Sequence, residues 1–189
     1  MEAFLVSTGV VALGEMGDKT QLLAMLLAVK FRRPVPIIVG IFVATVVNHA
    51  TAGLIGGWVA HALGPVWLRW VIGTAFLAMA VWVLVPDKAG DVDALPKRFG
   101  VFGTTVIGFF LAEMGDKTQI ATVALAARYH DLVAVVAGTT LGMLIADVPA
   151  VFIGERLAGR FSMTWMHRIA ATIFAVLGVL ALLDVGHAF

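Results

Sequence analysis

The chain has 189 residues, 61% of them hydrophobic and 13% charged, with a net charge of +1 and a mean hydropathy of +1.00. Soluble domains run about 45–50% apolar and about 25% charged, so the excess points to a polytopic membrane protein, and the small net charge argues against a nucleic-acid partner. There is no cysteine, which excludes disulfides, thiolate metal sites and cysteine nucleophiles.

Along the chain, no cleaved signal peptide is expected. The opening Met1-Glu2-Ala3-Phe4 has no basic region, and Glu15 and Asp18 already interrupt the apolar run that follows. A bilayer core about 30 Å thick takes roughly 20 helical residues to cross. Six segments qualify: 3–29, 35–60, 66–86, 100–127, 132–154 and 165–185. Breaks rich in Pro, Gly and charge separate them, at 30–36, 61–65, 86–98, 128–131 and 155–160. The runs lack the alternation that a strand-built barrel would need. The expected fold is therefore an all-α polytopic membrane protein with six transmembrane helices.

The first span carries E-M-G-D-K-T-Q at 15–21, and the fourth carries the same seven letters at 113–119. At that offset of 98, Gly40 falls on Gly138, Gly56 on Gly154, Trp67 on Trp165, Thr74 on Thr172 and Phe76 on Phe174. Each half holds three spans, an odd number, so the second half must start from the opposite side of the membrane. Two inverted three-helix repeats follow, 1–86 and 99–189, joined by a linker at 87–98. Transporters built this way hold their substrate at the bilayer midplane. Glu15, about 12 residues into its span, would lie roughly 18 Å deep at 1.5 Å per residue, and Glu113 would match it from the other side.

Charges inside a membrane are costly and mark function by default. Glu15 and Asp18 share a helix face at i, i+3, as do Glu113 and Asp116. Four such carboxylates supply hard oxygen ligands suited to Mg²⁺, Ca²⁺ or Mn²⁺, with Thr20, Gln21, Thr118 and Gln119 as neutral oxygens. In an unbroken helix Thr20 would point away from Glu15, but Gly17 and Gly115 could break the helices and bring it in. The two motifs sum to four negative and two positive charges. One divalent ion or two protons would neutralise the net −2, which is a physical basis for exchange. Lys19 follows Glu15 at i, i+4, the favourable order for a helix ion pair. Lys19 and Lys117 are accordingly read as charge compensation or as part of proton coupling.

A second polar layer falls in spans 2 and 5, where His49 matches Asp147 and Asn48 matches Ala146. Asp147, two residues before Pro149, is read as a ligand or proton carrier. His49 is read as a ligand, a proton relay, a partner for Asp147 or a helix–helix contact, and Asn48 as packing before ion binding. The other histidines, His61, His130, His167 and His187, are scattered, and no H-E-x-x-H occurs. Gly53 with Gly57, and Gly138 with Gly142, read as close-packing pairs. Trp67, Trp70 and Trp165 read as interfacial anchors. Asp87, Asp91 and Asp93 lie in the linker without an EF-hand pattern.

Two copies of E-x-G-D-K/R-T, one per half of a small membrane protein, resemble the Gdt family of cation/calcium exchangers, which includes bacterial manganese exporters and Golgi calcium/manganese transporters. The resemblance covers essentially the whole chain, through Glu15, Gly17, Asp18, Lys19 and Thr20, and through Glu113, Gly115, Asp116, Lys117 and Thr118. It implies divalent-cation transport of Mn²⁺ or Ca²⁺ with proton exchange, the ion being substrate and no cofactor being needed. The compact chain tilts the expectation toward manganese export from a bacterial inner membrane. Loops after spans 1, 3 and 5 hold Lys30, Arg32, Arg33, Lys88, Lys97, Arg98, Arg156, Arg160 and Arg168, against Arg69 and Arg128 opposite. That bias puts the first side in the cytoplasm and both termini outside. The rivals are an exporter of an organic cation or Cd²⁺ on a related scaffold, and an intramembrane aspartyl protease using Asp18 and Asp116. A passive channel is a third reading, and self-association is left open.

Overall fold

The structure, a computed structural model, describes residues 1–85, 95, 97–153 and 163–183. Most of the expected linker, the break at 155–160 and the outer ends of spans 3, 5 and 6 lie outside the described residues. Those described are helical and contain no strand. They form α1 (Glu2–Glu15), α2 (Lys19–Phe31), α3 (Pro34–Trp82), a 3-10 turn (Lys97–Phe99), α4 (Gly100–Glu113), α5 (Lys117–Tyr129), α6 (Leu132–Ile153) and α7 (Met163–Leu182).

Two of the six expected spans are continuous helices long and apolar enough to cross a membrane, Pro34–Gly64 and Leu132–Phe152. The expected spans 3–29 and 100–127 are instead interrupted inside their motifs. Met16 is extended (φ −65°, ψ 113°), Gly17 has φ 87°, and Asp18 is extended again before α2 starts. Met114, Gly115 and Asp116 repeat this sequence with φ −64°, 74° and −80°. The positive φ is cheap only for glycine, so each motif glycine makes the break sterically allowed. α2 and α5 then end alike, on left-handed Arg32 and His130 whose amides bond to the carbonyls of Ala28 and Ala126.

The expected loop at 61–65 is a kink rather than a gap. Gly64 (φ 67°, ψ 168°) bends α3 into the arm Pro34–Gly64 and a shorter apolar arm, Val66–Trp82.

Small residues set the packing. Gly138 and Gly142 on α6 sit against the Phe4 and Thr8 carbonyls of α1, and Gly40 on α3 faces Thr105 and the Phe102 carbonyl of α4. The Gly138–Gly142 pair therefore packs as expected. The other pair does not. Gly53 lies against Leu132 and Val136, whereas Gly57 has open space, and the close approach falls to Gly56 against the Val123 carbonyl of α5. α5 meets this stretch of α3 on the face one residue round from Gly57. We expect Gly56→Ala to lower stability by about 1–3 kcal/mol through overpacking, with Gly57→Ala near neutral, as read by thermal unfolding in detergent. On the second arm of α3, Phe76 stacks on Phe174 of α7 with centroids 6.2 Å apart.

The distribution of polarity is inverted relative to a soluble domain. Trp58, Trp67, Val133, Phe152 and Trp165 are exposed. Glu15, Asp18, His49, Glu113, Asp116, Lys117 and Asp147 are buried. An apolar exterior around a charged interior suits hydrocarbon surroundings.

Candidate ion site

The acids that flank both motif breaks, Glu15 with Asp18 and Glu113 with Asp116, are buried. α1 and α4 end at Glu15 and Glu113, so the negative ends of two helices reach the site with the glutamates. α2 and α5 begin just after Asp18 and Asp116. A glutamate at a helix C-terminus is unfavourable without a cation, whereas an aspartate at an N-terminus is favourable. The four acids thus differ in electrostatic setting even before their partners are considered.

Glu15, Asp18 and Asp116 each bring a carboxylate oxygen to a common cluster in which these atoms lie within 4.8 Å of one another. Thr20 Oγ1 donates to Glu15 Oε2 at 2.5 Å and Thr118 Oγ1 to Glu15 Oε1 at 2.6 Å, with Asp116 Oδ2 also 3.0 Å from the Thr118 hydroxyl. The break in α1–α2 has therefore turned Thr20 toward Glu15, as the glycine made feasible. Glu113, expected to complete a ring of four, is not among the three acids whose oxygens come this close. Its oxygens make no hydrogen bond among the described residues, and His49 Nε2 lies 3.8 Å from Glu113 Oε2. Both threonine hydroxyls have gone to Glu15, which leaves Glu113 without that anchor. His49 is therefore beside Glu113, and it makes no hydrogen bond to Asp147.

The lysines correct a second expectation. Their spacing suggested a pair within one helix, Lys19 with Glu15. The ion pairs instead cross between the motifs. Lys19 Nζ donates to Asp116 Oδ1 at 2.7 Å, and Lys117 Nζ donates to Asp18 Oδ1. Each lysine is the first residue of its helix, where the break aims it across the site rather than back along α1 or α4. The signal that pointed this way was the identity of the two copies. Two identical motifs that meet offer each lysine the other copy's aspartate.

Gln21 and Gln119, expected as neutral ligands, hold the breaks instead. Their Oε1 atoms accept the Gly17 and Gly115 amides at 3.1 and 2.8 Å, and Gln21 Nε2 donates to the Ala146 carbonyl at 3.0 Å. Asn48 Nδ2 donates to the Phe110 carbonyl at 3.2 Å, tying α3 to α4 just before Glu113. Asp147 is buried on α6, and its carboxylate makes no hydrogen bond among the described residues.

An all-helical protein with an apolar exterior, and with oxygen-only ligands gathered at two broken helices, belongs to the class of membrane carriers for hard cations. The profile of the family described as "Divalent cation/proton antiporter GDT1" matches residues 3–91 and 101–188. A Vibrio cholerae serotype O1 protein named "Putative manganese exporter" is 46% identical over 180 residues, covering 95% of this chain and 90% of its own. "GDT1-like protein sll0615" of Synechocystis is 29% identical over 200 residues, 96% of this chain and 97% of its own. "Divalent cation/proton antiporter GDT1" of Saccharomyces cerevisiae is 22% identical over 238 residues, 95% and 83% respectively. No solved structure matches the chain. The chain belongs to the GDT1 family. It is a divalent-cation transporter rather than an enzyme, and the metal is its cargo, not a cofactor.

Proposed function

We propose that this protein exports Mn²⁺ from the cytoplasm in exchange for protons, with Ca²⁺ as a second substrate, through a site built by the two motifs. The observation that carries the reading is the buried oxygen cluster of Glu15, Asp18 and Asp116, with the hydroxyls of Thr20 and Thr118 bonded into it. Hard oxygen donors suit Mn²⁺ and Ca²⁺, and without thiolate they do not favour Cd²⁺. Three carboxylate oxygens within 4.8 Å of one another are spaced to converge on a single small ion, the geometry of a metal site. An aspartyl protease dyad would need Asp18 and Asp116 to share a proton, whereas each is held by a lysine.

Glu113, Asp147 and His49 serve as the outer groups through which ion and protons reach the cluster. The manganese assignment rests on the name borne by the Vibrio relative, and proton coupling on the family's description. The charge sum of the motifs agrees with both: four acids and two lysines are neutralised by one divalent ion or by two protons.

The protein works as a six-span carrier in the bacterial inner membrane. Its inverted halves, 1–86 and 99–189, are joined by a cytoplasmic linker at 87–98, and both termini lie outside. The matching dihedral angles of the two breaks support the repeat. So does the stacking of Phe76 on Phe174, its own counterpart at the 98-residue offset. Spans 1 and 4 cross as broken helices, the form in which transporters present helix ends to an ion.

Proton-gradient-driven Mn²⁺ flux in proteoliposomes tests the reading, with Ca²⁺ and Mg²⁺ as competitors. The wild type should respond to the gradient, and the variant carrying Glu15→Gln with Glu113→Gln should not. Flux indifferent to the gradient would indicate a channel or another coupling ion. Absence of Mn²⁺ and Ca²⁺ flux from folded protein would overturn the assignment.

A further inference from the structure

We infer that Lys117, and to a lesser degree Lys19, is a tethered cation that competes with the transported ion for the motif aspartates and so sets the affinity of the site. The inference rests on the reading of the cluster as the ion site.

Three observations lead to it. The ammonium of Lys117 is bonded to Asp18, and that of Lys19 to Asp116, so two of the three clustered carboxylates each hold a lysine. The lysines come from opposite motifs, so each pair lasts only while the two breaks are side by side. Finally, the two pairs differ in burial. The Lys117 side chain is 2% exposed and that of Lys19 is 24% exposed. Lys117 is therefore held in the drier setting, where its attraction for a carboxylate is less screened.

The physical need is plain. Affinity for hard divalent ions rises with the number of charged oxygen ligands, and three clustered carboxylates with no internal cation would retain their ion. A carrier must bind firmly enough to load and weakly enough to release. Ammonium groups on flexible stems, already seated on the aspartates, lower the affinity by requiring displacement. They also keep the empty site from collapsing through repulsion among its acids. The lysine does not ligate the ion, so its role is to position and tune.

Lys117→Met and Lys19→Met remove the same charge, which separates competition from a general change of field. The measurement is Mn²⁺ binding by the purified protein, read as the Kd from an equilibrium Mn²⁺ titration, alongside Mn²⁺ flux. We expect Lys117→Met to bind Mn²⁺ about 10-fold more tightly than wild type, with slower maximal flux from delayed release, and Lys19→Met to tighten binding by no more than about 3-fold. Equal tightening in both variants would mean that net charge alone matters, and would overturn the inference. Unchanged or weaker Mn²⁺ binding in Lys117→Met would overturn it as well. If Lys117→Met does not fold, Lys117→Gln takes its place. If that also fails, Lys117→Arg keeps the charge and must bind Mn²⁺ no more tightly than wild type, tighter binding again overturning the inference. A wild type that binds no Mn²⁺ would instead remove the reading of the site itself.

Discussion

Glu15→Gln alone is expected to reduce Mn²⁺ flux by about 100-fold or more while leaving the protein folded. Outer groups that merely orient a metal ligand are worth about 10–100-fold, and Glu15 is the acid to which both threonine hydroxyls point. Glutamine has the same shape and can still accept one hydroxyl, so packing is preserved while the charge is lost. Glu113→Gln is the informative contrast, because Glu113 lies outside the three-carboxylate cluster. It should lower flux less than Glu15→Gln when Mn²⁺ is saturating. Equal losses in the two variants would mean that the glutamates act as an undifferentiated pair.

Asp18→Asn should have the largest effect on stability. It removes the carboxylate bound to Lys117, whose side chain is 2% exposed. Removing one partner of a buried ion pair costs about 3–5 kcal/mol. The expected signs are a sharp fall in the unfolding temperature in detergent and poor recovery of folded protein. Asp18→Asn combined with Lys117→Met removes both charges and should regain most of that stability, yet remain inactive in Mn²⁺ transport. The double-mutant cycle reads the coupling directly. If the combined variant is no more stable than Asp18→Asn, the pair is not what holds the breaks together.

Much of the candidate cluster was legible in the sequence because its charges have no other place in an apolar chain. Glu15, Asp18 and Asp116 stand out for that reason, and Gly17 and Gly115 announce the breaks that admit Thr20 and Thr118. The exact repetition of seven residues also pointed to a meeting of two copies. What stayed hidden depends on directions set by the broken backbone. The spacing of Glu15 and Lys19 describes a continuous helix, but the helix ends between them, so the lysine reaches across instead. Gln21 and Gln119 carry oxygens of the right type, yet the amides freed by the breaks claim them first. The shift from Gly57 to Gly56 is a matter of rotation about one helix, which composition does not encode. The kink at Gly64 looked like a loop because Gly-Pro usually punctuates, and here it bends a helix without ending it.

The threonine bonds have a consequence in hydrogen counting. A hydroxyl has one hydrogen to donate, and both Thr20 and Thr118 direct theirs toward Glu15, with Asp116 drawing on that of Thr118 as well. Any arrangement in which these threonines serve Glu113 must take them from Glu15. With two hydroxyls to share, each one that turned to Glu113 would leave Glu15 one donor short, so the threonines would couple the two glutamates in single-bond steps.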